Sequence, residues 1–275
     1  MSNKYYTLIE ASSPWRPIDL KEIARYRDMF FYKIINGYKA QQRQTILSYF
    51  WVILDPFVNI AFNSIIFGHF IDVNTGDTPY IAFNASAMAG WAFLFAGLNG
   101  AVNSISGEIN LMQKVYFPRI YIPLVPTITN FPNFVIQLVC TLFVVWYFNI
   151  SITWQLLYLI PVILCTILFC TALGLLFTTF FVQFKDLPKV WSYAMRFYMY
   201  TVPVVYLNPT LIPEKYIWLY NLNPGVAIIE GFRSAIIGTP MPWEKLGIAF
   251  LLSSILLYLG AVVFRYREPN IVDAF

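Results

Sequence analysis

WQLLYLIPVILCTILFCTALGLLFTTFFV, residues 154–182, contains no Asp, Glu, Lys or Arg. A bilayer hydrocarbon core about 30 Å thick is crossed by roughly 20 residues of helix, so the stretch predicts a transmembrane helix. Further apolar stretches lie at 49–70, 80–104, 120–148, 190–207 and 246–264. The expected fold is an all-α integral membrane protein with six transmembrane helices. Of the 275 residues 59% are hydrophobic and only 12% charged, against about 25% charged in a soluble domain. A soluble reading is excluded, and six spans leave no room for a separate soluble catalytic domain.

Placement of charge predicts orientation, because Lys and Arg concentrate on the cytoplasmic side. Lys4, Arg16, Lys21, Arg25, Arg27, Lys33, Lys39 and Arg43 precede the first span, whereas the loop from Asp72 to Asp77 carries acids only. Lys114 and Arg119 follow the second span, Lys185 and Lys189 the fourth, and Arg265 and Arg267 the last. Both termini are therefore expected in the cytoplasm, with 1–48 an N-terminal cytoplasmic segment, 49–264 the six-span domain and 265–275 a tail. Segment 208–245 breaks the alternation with Lys215, Arg233 and Lys245. The first residues lack the apolar core and cleavage site of a signal peptide, so the first span itself would direct insertion.

Residues 19–36, DLKEIARYRDMFFYKIIN, place Leu20, Ile23, Phe30, Phe31 and Ile34 on one side of a helix, interrupted by Arg27. That pattern fits a helix lying in the membrane interface among anionic headgroups, or a helix packed on the bundle. Residues 103–119, NSISGEINLMQKVYFPR, read as a short polar helix and a turn, and Pro118 and Pro123 predict a kinked entry to the third span. In 208–245, the pieces 216–222 and 225–237 are too short to cross and lie among Pro209, Pro213, Pro224, Pro240 and Pro242. They predict a re-entrant hairpin, which needs protein or a water-filled cavity around its broken backbone and accounts for cations on the outer side.

Catalytic and metal-binding patterns are missing. No GxxxxGK[ST] string is present, so the P-loop device for ATP is absent. The lone His69 makes no triad, and Cys140, Cys165 and Cys170 lie inside apolar runs with the spacing of neither a zinc nor a disulfide framework; they read as packing. No catalytic, cofactor-binding or metal site is assigned. Ionisable residues within or beside spans are costly; here they are Asp55, Asp186, Arg196, Glu230 and Arg233. Asp55, before Pro56, is expected to face the bundle, as a polar contact at a kink or cavity wall or as part of a proton relay. Glu230 and Arg233, three apart, are expected to pair on one face of a short helix. Aromatic residues make up 19% of the chain. Beyond interfacial belts, Phe57, Phe62, Trp91, Phe95, Phe197, Tyr198 and Tyr200 fall mid-span, where rings can stack on sugars.

Four segments carry a resemblance: TILSYFWVILDPF at 45–57, KVYFPRIYIPL at 114–124, VQFKDLPKV at 182–190 and LNPGVAIIEGFRSAIIG at 222–238. In this order, behind a basic amphipathic helix, the chain resembles the permease subunits of type-2 ABC exporters, of the Wzm and KpsM type, which export O-antigen or capsular polysaccharide. Lys185 stands where that family often has Arg, and Asp55 where it often has Gln, which makes the wall of the path more acidic. The resemblance implies a homodimer joined to two copies of a separate ATP-binding subunit that holds ATP and Mg, with no cofactor on this chain and no nucleic-acid partner. It also implies an inner-membrane location, a lipid-linked polysaccharide substrate, and a tunnel between the permease copies lined by spans one and five. Phe57, Phe62, Phe197, Tyr198 and Tyr200 become candidate tunnel residues, and the hairpin would cap the outer end. Arg25, Arg27, Glu108, Gln113 and Lys114 become candidates for coupling to the ATPase.

Alternatives are an ABC permease for teichoic acid, lipid or drug, a membrane enzyme acting on polyprenyl-linked sugars, and a proton-coupled carrier. The enzyme would need paired acids, and these are scattered. The carrier would show several intramembrane acids and internal symmetry, and neither is evident.

Overall fold

The computed structural model describes residues 20–42, 48–71, 73, 75–76, 78–105, 117–184, 186–206 and 213–273. Among them every regular element is a helix. Five helical stretches are long and apolar enough to cross a membrane: Phe50–Phe70, Tyr80–Val102, Tyr121–Tyr147, Trp154–Phe181 and Trp243–Arg267. The chain is a multi-pass membrane protein.

Helices α1 (Leu20–Arg25) and α2 (Arg27–Gln42) are separated at Tyr26, beside the Arg27 that interrupts the apolar stripe. Ile23, Met29, Phe30 and Ile34 pack against Phe117, Tyr121, Ile122 and Phe264. The Tyr121 hydroxyl donates to the Ile23 carbonyl at 2.5 Å, and the Phe30 and Tyr121 rings lie 4.8 Å apart. The N-terminal helix is thus held on the bundle through its apolar side.

Helix α3 (Ser48–Asn63) contains Pro56 and continues as a π-helix over Ser64–Phe70. It is lightly packed. By contrast α4 (Tyr80–Val102) is the axis of the molecule, with 78% of its apolar window buried against 11% for the first span. Small residues make this close packing possible, since association in lipid rests on van der Waals contact rather than on exclusion of water. At Gly90 a Cβ would come within 2.5 Å of the Phe232 ring.

The third span is divided into α5 (Tyr121–Thr129) and α6 (Phe131–Tyr147). Pro123 falls in the first turn of α5, where a backbone N–H is dispensable. Pro126 removes a donor from the helix interior, and the interruption falls at Asn130, just before Pro132 opens the next helix, later than Pro118 and Pro123 suggest. At the break the Asn130 side-chain amide donates to the Pro126 carbonyl at 2.9 Å, while its backbone N–H turns to Ile128. After a 3-10 turn over Trp154–Tyr158, α7 (Leu159–Gln183) runs along both α4 and α11 (Trp243–Asp273).

Helix α8 (Leu187–Thr201) occupies the expected fifth span but has only 15 residues, about 22 Å of helix. The backbone then turns through Val202–Tyr206. Lys189 and Arg196 on α8 lower its apolarity, so it does not meet the length and composition of a crossing helix. Helices α9 (Ile217–Leu222) and α10 (Pro224–Ile237) are both too short to cross. Asn223 caps α10 by accepting from the Gly225 N–H at 3.0 Å, and Gly238 ends it in the left-handed region at φ 87°. Nearly every residue of α10 is buried, against α4, α7 and α11.

Candidate functional site

Helices α3 and α8 both leave much of their surface unpacked. On α3, Phe50, Trp51 and Phe62 are exposed, as is Ile65 on its π-helical continuation, and on α8 Val190, Tyr193, Phe197 and Tyr200 are exposed. Phe62, Phe197 and Tyr200 retain 63%, 69% and 59% of their accessible surface, so these three candidates stand on open faces, while Phe57 is half-buried against the core. Tyr198 turns inward. Its hydroxyl donates to Asn223 Oδ1 at 2.7 Å and its ring lies 6.0 Å from that of Trp91. It ties α8 to the cap of α10, because a phenol buried among apolar groups needs a polar partner.

A pocket of about 690 Å³ separates α8 from α9, lined by Trp191, Tyr198, Tyr200, Tyr206, Tyr216 and Tyr220 among others. At the other end of α8, Trp191 Nε1 donates to Asn99 Oδ1 at 2.9 Å. Helix α8 is therefore anchored at a few points along one side and free along the rest.

Glu230 and Arg233 do not form the expected pair. The Glu230 carboxylate accepts from Lys245 Nζ at 2.7 and 3.0 Å, joining α10 to α11. Arg233 projects toward α4 and the turn after α8, with its guanidinium 3.7 Å from the centroid of the Phe83 ring. Its Nη2 donates to the Pro203 carbonyl and, at 3.3 Å, to that of Val204. Burial pulls its pKa down to about 10, opposed by nearby Glu230, Tyr220 and Tyr80, so it stays a cation at neutral pH. Two of the three cations in 208–245 are thus neutralised or capped within the protein, and Tyr80 adds a third tie by donating to the Val205 carbonyl at 2.9 Å. Lys245 and Tyr80 are the partners that reading the sequence missed. The available signal was the excess of cations in 208–245, since a cation there demands an internal partner.

Asp55 is exposed rather than turned into the bundle. Four-residue spacing puts it in line with Asn59, whose amide donates to the Asp55 carbonyl at 2.8 Å. Asp55 nonetheless lines a pocket of about 220 Å³ together with residues of α4 and α6 and with Asn130 between α5 and α6. Arg25 and Arg27 are both exposed on the N-terminal helices, Arg27 with its Nε 3.6 Å from Asp28 Oδ1. Glu108, Gln113 and Lys114 lie outside the described residues. Cys140, Cys165 and Cys170 are free and buried. No group of three or more His, Cys, Asp or Glu suited to a metal gathers among the described residues.

What this arrangement offers is two long helix faces without a partner inside the chain and a bolted cluster of short helices at the end of α8. Comparison with known proteins adds a family. The model of the ABC-2 type transporter family matches residues 30–237. Two curated relatives, both O-antigen export system permease protein RfbA from Klebsiella pneumoniae, are each 23% identical over 240 residues, covering 85% of this chain and 91% of the relative.

Proposed function

This chain belongs to the ABC-2 type transporter family, and from that premise we propose that it is the permease subunit of an ATP-driven exporter of lipid-linked polysaccharide, of O-antigen or capsule type. The observation that carries the reading is similarity to O-antigen export permeases over 85% of this chain and 91% of the relatives. The absence of a P-loop string supports a division of labour in which two copies of a separate ATP-binding subunit hold ATP and Mg.

In the working exporter two copies of this chain face each other in the cytoplasmic membrane, with both termini inside. Helix α8 with the turn 202–206 completes a sixth crossing, and α9 and α10 form a re-entrant hairpin that closes the outer end. The N-terminal helix lies at the cytoplasmic interface, where exposed Arg25 and Arg27 join the projection around Glu108, Gln113 and Lys114 in contacting the ATPase. The polymer passes between copies of α3 and α8. Their light packing within the chain supports this, because apolar and aromatic faces such as Phe62, Phe197 and Tyr200 are free to meet the partner copy or the polymer. Rings offer sugars weak, repeated stacking that permits sliding, and weak multi-site binding is what lets a cargo leave as readily as it enters. ATP-driven closure of the partner subunits pushes the cytoplasmic side and separates the two α8 helices, which few anchors restrain.

The test is deletion of the chain in its own host, with surface polysaccharide as readout. Surface polymer disappears, and returns only when this chain is supplied with a hydrolysis-competent ATP-binding subunit. Unchanged polymer with intact coupled ATPase keeps the permease and removes polysaccharide as cargo, leaving teichoic acid, lipid or drug.

A further inference from the structure

The pocket beside Asp55 has a polar wall at a depth where lipid supplies no hydrogen bonds. Asp55, Asn130, Asn133 and Gln137 line it together with the rings of Phe93 and Phe134. Gln137 keeps only 8% of its surface exposed and makes no hydrogen bond among the described residues. Asn133 Oδ1 is shut away from solvent without a partner, so it lies behind the wall and does not face the opening. Asn130 spends its amide on the carbonyls of Pro126 and Ala96, at 2.9 and 3.4 Å, which leaves its own carbonyl oxygen to the pocket. The Asp55 carboxylate has no ion pair among the described residues. Buried polar groups are ordinarily satisfied, and Gln137 instead borders an opening of about 220 Å³ that Asp55 and Asn130 also line.

Depth narrows the occupant. Asp55 lies five residues into Phe50–Phe70 and Ala96 six residues before the end of Tyr80–Val102, roughly 8 Å along each helix. A phospholipid headgroup at the interface does not reach that level. A cargo that crosses the membrane passes that level.

We infer that this pocket is a sugar subsite of the export path that receives one neutral, hexose-sized unit of the polymer and disfavours an anionic one; this deepens, and rests on, the polysaccharide-export reading. Ring hydroxyls both donate and accept. They match a carboxylate that accepts strongly and carboxamides that do both, while Phe93 and Phe134 offer apolar faces to the ring C–H groups. A uronate or phosphate-bearing unit would place a second negative charge beside Asp55, and like charges at close range repel. The carboxylate therefore acts as a filter on the charge of the cargo.

The experiment uses the full chain with its ATP-binding subunit in phosphatidylethanolamine/phosphatidylglycerol nanodiscs. Because the native cysteines are buried, Val52→Cys at the pocket lining reports occupancy through its rate of maleimide labelling. The probes are gluco-, manno- and galacto-pentasaccharides and an oligogalacturonate of equal length. At least one neutral probe slows labelling at concentrations on the order of tenfold below the oligogalacturonate. Adding Gln137→Leu weakens the neutral probe about tenfold, the scale of one lost buried hydrogen bond. Adding Asp55→Asn, at an exposed position, raises protection by the oligogalacturonate and closes the gap. Equal protection by acidic and neutral probes, protection by none, or a ratio unmoved by Asp55→Asn overturns the subsite. If surface polymer depends on the chain in cells while no probe protects Val52→Cys, the subsite falls and the export reading stands. If surface polymer is independent of the chain, the export reading falls and the subsite with it.

Discussion

Glu230 and Arg233 sit three positions apart on α10, yet each takes a partner from another helix. A half-buried carboxylate gains more from an ammonium at 2.7 Å across the helix pair than from a neighbour whose guanidinium can instead stack on Phe83 and cap carbonyls that a turn leaves open. Replacing Lys245 with Met is expected to cost about 1–3 kcal/mol, because it strands a charge that is only partly exposed. Adding Glu230→Gln should recover part of that loss, and a double-mutant cycle on thermal unfolding in detergent checks it. Gly90→Ala makes a separate test of packing. With Phe232 within 2.5 Å of the new methyl, overpacking lowers stability by about 1–3 kcal/mol, and Phe232→Leu in the same chain relieves it.

At the scale of elements, Arg233, Tyr80 and Tyr198 fasten the end of α8 to α4 and α10. Arg233→Lys keeps the charge and loses the planar fork that reaches two carbonyls while stacking on a ring. Amide exchange in 202–206 is therefore expected to accelerate at least about tenfold, with α4 exchange unchanged, as read by hydrogen–deuterium exchange. The apolar runs of α3, α4, α6, α7 and α11 were legible because composition alone decides whether a segment dissolves in lipid. The fifth span was not legible in its length. Its run 190–207 is apolar through Val202–Val205, but those residues turn under Arg233 and Tyr80 rather than extend the helix. The interruption at Asn130 was missed because Pro132 acts through a carbonyl one turn earlier, that of Ile128, which accepts from the Asn130 N–H instead.

For the whole molecule, α4 is buried at the centre while α3 and α8 keep exposed faces at the flanks. If copies meet through α8, Phe197→Cys in native membranes gives an oxidation-dependent crosslinked dimer on gel electrophoresis, whereas Met195→Cys, buried in the same helix, gives none. Among the candidate residues, the sequence picked out aromatic positions as a class but did not assign their faces. Phe197 and Tyr198 are adjacent, and one helical step of about 100° turns the first outward and the second onto Asn223. What the sequence by itself determined is a helical, multi-pass membrane protein without a P-loop, since long uncharged apolar runs admit no other solution in water or lipid. Only the tertiary structure decided that Glu230 answers to Lys245, that Arg233 holds the turn after α8, and that Asp55 shares a pocket with Gln137. Those outcomes depend on contacts between helices distant in the chain, where the need to satisfy each buried polar group selects among partners that local spacing does not reveal.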